Sequence, residues 1–214
     1  MALLRRTTTA LALALTTALV APTAASATGP GSTGTTSLAS VLTGDGNQFD
    51  RDWYDYDIVT EAVLAVIAAD TNGDSPVRLL TDGSTPLTAF IPNDRAFQVL
   101  VKDLTGTWVR TEQDVFAAVA GLGLDTVEDV LLYHVVPGAT ITARDALRSN
   151  GAELTTALGP TIGVKVARWL PIIVLRDQDS DDVDPLVNPL ALDINRGNAQ
   201  IAHGITFVLR PSNL

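Results

Sequence analysis

Residues 87–97, Leu-Thr-Ala-Phe-Ile-Pro-Asn-Asp-Arg-Ala-Phe, leave the backbone little freedom. Leu87 to Ile91 is an apolar run with strand character, and Pro92 has no N–H with which to extend a ladder. Asn93 or Asp94 can then bond the free amides of a helix start. Ala96, Phe97 and Leu100 follow at helical spacing, with Val99 and Val101 beside them. The stretch therefore reads as a buried strand that turns at once into a helix from Asn93 to about Lys102. Phe90 and Phe97 are expected to bury against a sheet.

The remaining pattern changes character along the chain. A short helix is expected at Ser37 to Leu42, and a second from Ile58 to Ala69 with Asp57 as its N-cap. The second is apolar on most sides, which argues for burial. Asp70-Thr71-Asn72-Gly73-Asp74 supplies a turn. Thr111 with Asp114 approximates a capping box for a helix Glu112 to Val119. Asp125 or Thr126 is placed as the cap of another, from Val127 to about Tyr133. After Gly138 the period shortens towards two. Candidate strands are Glu153 to Thr155, Ile162 to Ala167, Ile172 to Leu175, Leu190 to Ile194, Gln200 to His203 and Ile205 to Leu209, separated by turn residues. Helices first and strands after indicate an α+β fold.

The N-terminus reads as an export signal. Arg5 and Arg6 precede the apolar stretch Ala10 to Ala21, and Ala25-Ser26-Ala27 offers a small-x-small cleavage site. The stretch is short of the ~20 residues that span a bilayer. Residues 1–27 are thus expected to be a signal peptide cleaved after Ala27, residues 28–36 a flexible Gly/Ser/Thr/Pro leader, and residues 37–214 a single domain, secreted and without a membrane span. Loss of Arg5 and Arg6 would leave 12 basic against 24 acidic residues. Such a surface repels nucleic acid, so no nucleic-acid partner is expected. With no cysteine, stability must come from packing.

Three segments, in order, resemble the signatures of the fasciclin (FAS1) domain. In the first, Thr88, Phe90, Pro92, Asn93, Asp94, Ala96 and Phe97 match the family pattern. The second is Val130-Leu131-Leu132-Tyr133-His134-Val135-Val136-Pro137-Gly138. The third, Asn198 to Pro211, is looser: Asn198 lies one residue too far from His203, and Thr206 replaces the usual acid. The resemblance implies a β-sandwich wedge of about seven strands with helices packed along its edge. It also implies adhesion by non-covalent binding to a protein or polysaccharide of a cell surface or matrix. In animal relatives the Tyr-His segment is linked to receptor binding, which makes Tyr133 and His134 candidate contacts.

The residues themselves leave alternatives. The two histidines, His134 and His203, read either as a pH-sensitive or ligand-contacting pair or as partly buried groups bonded to backbone. They are too few to hold a metal without cysteine. Trp53 and Tyr54, set among acids, read either as a binding surface or as a lid over the helical end of the core. Asp177-Gln178-Asp179-Ser180-Asp181-Asp182-Val183-Asp184 begins like an EF-hand loop. Asp182 then stands where glycine is needed, and Asn188 where a closing Glu belongs. A solvated acidic loop and a weak calcium site both remain open. No nucleophile elbow, phosphate loop or zincin helix occurs, so no enzymatic activity and no cofactor are expected. The expected function is a secreted binding module, with an exported calcium- or small-ligand-binding protein as the alternative.

Overall fold

Strand β1, Leu87–Pro92, is buried at every position, as a strand covered on both faces should be. The computed structural model describes residues 33–213 apart from 47 and 168; the expected signal peptide and residues 28–32 lie outside that range. On one side β1 pairs antiparallel with β2, Val135–Pro137, and on the other in parallel with β6, Gln200–Ile205. A second, antiparallel sheet has the order β3 (Glu153–Thr155), β4 (Thr161–Val166), β5 (Ile173–Arg176).

Six α-helices are described, α1 Leu38–Leu42, α2 Asp57–Ala69, α3 Asp94–Thr105, α4 Glu112–Ala120, α5 Leu124–Tyr133 and α6 Ala143–Ala146, with two 3-10 helices at Thr43–Asp45 and Pro76–Thr81. The pleat of β1 sorts its side chains between two apolar clusters. Leu87, Ala89 and Ile91 join the helices, whereas Phe90 joins Tyr133, Val136, Ile162, Val164, Ile173, Leu175 and Ile205 under the second sheet. Helices α1 to α5 thus cover one face of the first sheet and the second sheet lines the other. Phe90 and Phe97 are both buried, in different clusters, and Leu158 packs against both. The α+β class is as expected.

Several elements differ from the sequence reading, each for a physical reason. Asp57 is the first residue of α2, not its cap; Tyr56 holds the cap position and makes no side-chain bond there. Helix α5 starts at Leu124 behind Gly123, whose φ of 93° suits glycine, so Asp125 and Thr126 lie inside it. Leu190 to Ile194 is turn and bend that touches β6 through an isolated bridge of Ile194 to Ala202 and a bond from Gly204 N–H to Ala191 O: positive φ at Asp193 and Asn195 keeps it from becoming a ladder. The expected strand Gln200 to His203 runs on as β6 to Ile205, and the last expected strand is absent: residues 206–209 are bend and coil. Of the expected leader, residues 33–36 are tied down. Gly34 N–H donates to Gly197 O at 2.8 Å, and Thr36 N–H donates to Asn198 Oδ1 at 3.0 Å. A Cβ on residue 34 would sit 2.2 Å from Asn198 Oδ1, so a larger residue there would make Asn198 turn away and give up its bond from Thr36 N–H.

Candidate functional site

The strand-to-helix corner divides its two polar residues between two helices. Asn93 caps α3, accepting from Ala96 N–H at 3.0 Å. Asp94 instead reaches α2, where its Oδ1 accepts from Ile58 N–H at 3.0 Å and does the work expected of Asp57. Thr88, the first polar residue of the motif, donates to Ala139 O and accepts from Ile141 N–H, each at 2.8 Å.

Tyr133 and His134 are both interior. Tyr133 has no exposed surface; its hydroxyl donates to Thr161 O at 2.9 Å, and burial pushes it up to about 12. His134 bonds Val130 O through Nδ1 at 2.7 Å and accepts Leu209 N–H on Nε2 at 2.9 Å. An acceptor at Nε2 places the proton on Nδ1, giving a neutral ring. Burial lowers its pKa to about 4. His203 follows the same plan: Nδ1 accepts from Asp193 N–H at 3.2 Å and Nε2 bonds Ile141 O at 2.9 Å. Burial lowers its pKa as well. Each histidine joins two distant backbone segments. The candidate contacts Tyr133 and His134 are thus both interior: the apolar helix-to-strand junction draws them inward, where backbone groups take up the hydroxyl and both ring nitrogens.

The acidic loop is organised by a guanidinium. Arg210, 4% exposed, pairs with Asp103 at 2.8 Å, Asp182 at 3.1 Å and Asp179 at 3.2 Å. Its backbone N–H donates to Asp177 Oδ2 at 2.9 Å. Arg210 supplies the positive charge that a calcium ion would bring to the same carboxylates.

Trp53 and Tyr54 part company. Trp53 is half-buried against the helical core, whereas Tyr54 is 75% exposed. Phe49, in the same loop, packs against Phe116 with centroids 5.5 Å apart and the rings tilted by 39°. The loop is clamped to α3, with Arg95 N–H donating to Trp53 O at 2.8 Å and Asp94 N–H to Asp55 O at 3.2 Å. The Arg95 guanidinium lies 4.9 Å over the ring of Trp108, itself 48% exposed. An open hollow of about 850 Å³ is lined by Phe49 to Tyr54.

Beneath this loop lie three carboxylates, of which the sequence pointed only to Asp94, and to that one only at a helix start. One ligand atom from each of Asp55, Asp94 and Glu112 lies within 4.8 Å of the others. Burial raises the pKa of all three. Their signal in the sequence was faint, because an acid in a first helical turn is ordinary dipole complementarity.

A fasciclin domain profile matches residues 75–209, more than half of the chain, and the chain belongs to that family. Among solved structures it is similar to a FAS1 domain pair from the insect cell adhesion molecule fasciclin I, with TM-score 0.50 and 16% identity. The likeness covers 71% of this chain and 46% of that one, so this chain spans about half the length of its structural relative. No curated protein matches the sequence. Among the described residues no helix is long and apolar enough to cross a membrane.

Proposed function

We propose that this fasciclin-family chain is a secreted, non-enzymatic binding module that associates with a cell-surface or matrix protein or polysaccharide. The surface that binds is the exposed aromatic patch around Arg95: Tyr54 and the 49–54 loop on one side, Trp108 on the other. The observation that carries this reading is the split within the 49–54 loop. Trp53 seals the core, while Tyr54 is held in solvent by a backbone clamped to α3. A rigid amphipathic ring costs little ordering entropy on binding, which is why tyrosine and tryptophan concentrate at interface hot spots. Both histidines have their two ring nitrogens engaged by backbone, so neither is available as a general base. The adhesion role of the insect relative, named as a cell adhesion molecule, agrees with this reading.

The test uses a fluorescent chain beginning at Thr28 and intact cells of the native source. Saturable retention is expected, lost in a Tyr54→Ala, Trp108→Ala double variant whose melting temperature is unchanged. Protease or periodate treatment of the cells tells a protein receptor from a polysaccharide. Retention that is equal in the double variant moves the binding surface elsewhere, and absent retention removes the adhesion reading.

A further inference from the structure

Three helices start around the acids beneath the aromatic loop. Asp94 is the first residue of α3 and Glu112 the first of α4, while Asp55 lies two residues ahead of α2. Asp94 is fully buried and Glu112 is 1% exposed. Apart from the bond between Asp94 Oδ1 and Ile58 N–H, the arrangement is incomplete. Asp94 Oδ2, Asp55 Oδ1 and both oxygens of Glu112 are buried without a well-formed hydrogen bond; their nearest polar neighbours are one another, Asp55 against Asp94, and the Asp50 backbone beside Glu112. Among the described residues no lysine or arginine pairs with any of the three. Arg95, next in sequence, is turned towards Trp108 and Gln98. Asp50, Asp52 and Asp57 add further negative field.

Helix N-termini offset only part of this. Each supplies roughly half a positive charge, so the three termini balance about half of three carboxylates. A buried polar group is ordinarily satisfied, and three carboxylates with one oxygen each within 4.8 Å of the others and no basic side chain among them need a cation or a proton.

We propose that Asp55, Asp94 and Glu112 form a calcium-binding site where the N-termini of α2, α3 and α4 meet. The donor set is all hard oxygen, which suits calcium or magnesium and not zinc, which favours nitrogen and sulfur. Glu112, 1% exposed and facing two further carboxylates, brings a second oxygen beside its converging one, and calcium takes carboxylates in either one- or two-oxygen mode. Magnesium holds to a tight octahedron and keeps its waters, which a buried cluster does not favour. The bound ion ties the 49–55 loop to the starts of α3 and α4 and so stiffens the aromatic patch. The site stands on its own geometry, independent of whether that patch binds anything.

Calcium is titrated calorimetrically into the chelator-treated chain beginning at Thr28 at pH 8, with melting followed in parallel. One site is expected, of dissociation constant about 10⁻⁴ to 10⁻³ M, typical of extracellular modules. At 10 mM calcium the melting temperature should rise by roughly 5 °C. Glu112→Gln and Asp55→Asn should each abolish the heat and the shift. Asp55→Asn, in the loop, serves if Glu112→Gln does not fold. A double Asp179→Asn, Asp181→Asn variant of the Arg210 loop should retain both responses. The proposal is overturned by a wild-type chain with neither heat nor shift, by a response that survives in Asp55→Asn, by one lost in the Arg210-loop variant, or by magnesium acting as strongly as calcium. Any of these leaves the cell-retention result untouched.

Discussion

Leu209 donates its backbone N–H to His134 Nε2 at 2.9 Å across 75 residues of sequence. With Nδ1 bonded to Val130 O, the ring is held neutral between two peptide groups. A second proton would turn Nε2 from acceptor to donor, facing Leu209 N–H. The buried ring therefore resists protonation, with a pKa of about 4 against 6.5 in the unfolded chain. Below pH 6.5 the unfolded state takes up a proton that the folded state refuses. The stabilisation from neutral His134 is accordingly complete above pH 6.5 and disappears as pH falls towards 4, by about 3 kcal/mol in all. Burial lowers the pKa of His203 as well, so the clean measurement is a difference. The advantage of wild type over His134→Gln in urea unfolding should shrink by about 2 kcal/mol between pH 7 and pH 4.5. A difference that does not change with pH refutes the neutral-histidine account.

Arg210 is a keystone by charge. Its guanidinium is buried and faces Asp179, whose side chain is 1% exposed. Removing one partner of a buried pair strands the other's charge, at about 3–5 kcal/mol. Arg210→Met should cost that much at pH 7 by urea denaturation. Asp103 holds the same guanidinium, but its side chain is 55% exposed, so Asp103→Ala should cost less than ~1 kcal/mol. Equal effects from the two substitutions argue against the burial-based ranking.

How much of this could be read beforehand follows the reach of each interaction. The β1–α3 corner was legible because proline, a capping asparagine and the spacing of Ala96, Phe97 and Leu100 are all local. The Thr111 cap was legible for the same reason, and Thr111 Oγ does accept from Asp114 N–H at 3.2 Å. Strand β2 was not, because Val135 to Pro137 follows a helix directly and becomes a strand only by pairing with β1. Leu190 to Ile194 misled by its alternation, yet Leu190 is 94% exposed: period two reports a strand only where something covers one face. In the candidate site, Trp53 and Tyr54 were visible as an aromatic cluster, but which of them faces water is a tertiary matter. The Asp55, Asp94 and Glu112 cluster and the partners of Arg210 gather across long separations and leave no spacing to recognise.

The N-terminal strap, residues 33–36, depends on Gly83. A Cβ on Gly83 would lie 1.9 Å from Thr35 O and 2.8 Å from Ser37 N, both backbone atoms that no rotamer change can relieve. Gly83→Ala should therefore lift residues 33–36 away from the 195–199 turn. The bonds lost include Ala199 N–H to Gly34 O at 2.9 Å and Asn195 Nδ2 to Thr36 O at 2.8 Å. Destabilisation by about 1–3 kcal/mol is expected, in the range of an overpacking substitution. Hydrogen exchange provides the specific check: the amides of Gly34, Thr36 and Ala199 should lose protection while those of β4 keep theirs. Unchanged exchange at Gly34 and Thr36 means the backbone accommodates a methyl group.

The two aromatic neighbours give the sharpest contrast, because they separate sealing from binding within one loop. Trp53 packs against the helical core beside Phe49 and Tyr56, so truncation removes buried apolar area and opens the cluster. Full burial would set the loss at about 3–5 kcal/mol; for a half-buried ring about 2 kcal/mol is expected in Trp53→Ala. Tyr54 contributes little to the core, and Tyr54→Ala should alter stability by less than ~0.5 kcal/mol, as surface substitutions do. Retention on cells should respond in the opposite order when compared at a temperature where both variants are folded. Tyr54→Ala should lose most of it, and Trp53→Ala should lose only what a loosened loop gives up. Guanidinium unfolding curves with the paired retention assay decide the matter. A Tyr54 variant that melts early places that ring in the core, and a Trp53 variant that keeps its stability but loses retention makes tryptophan the contact.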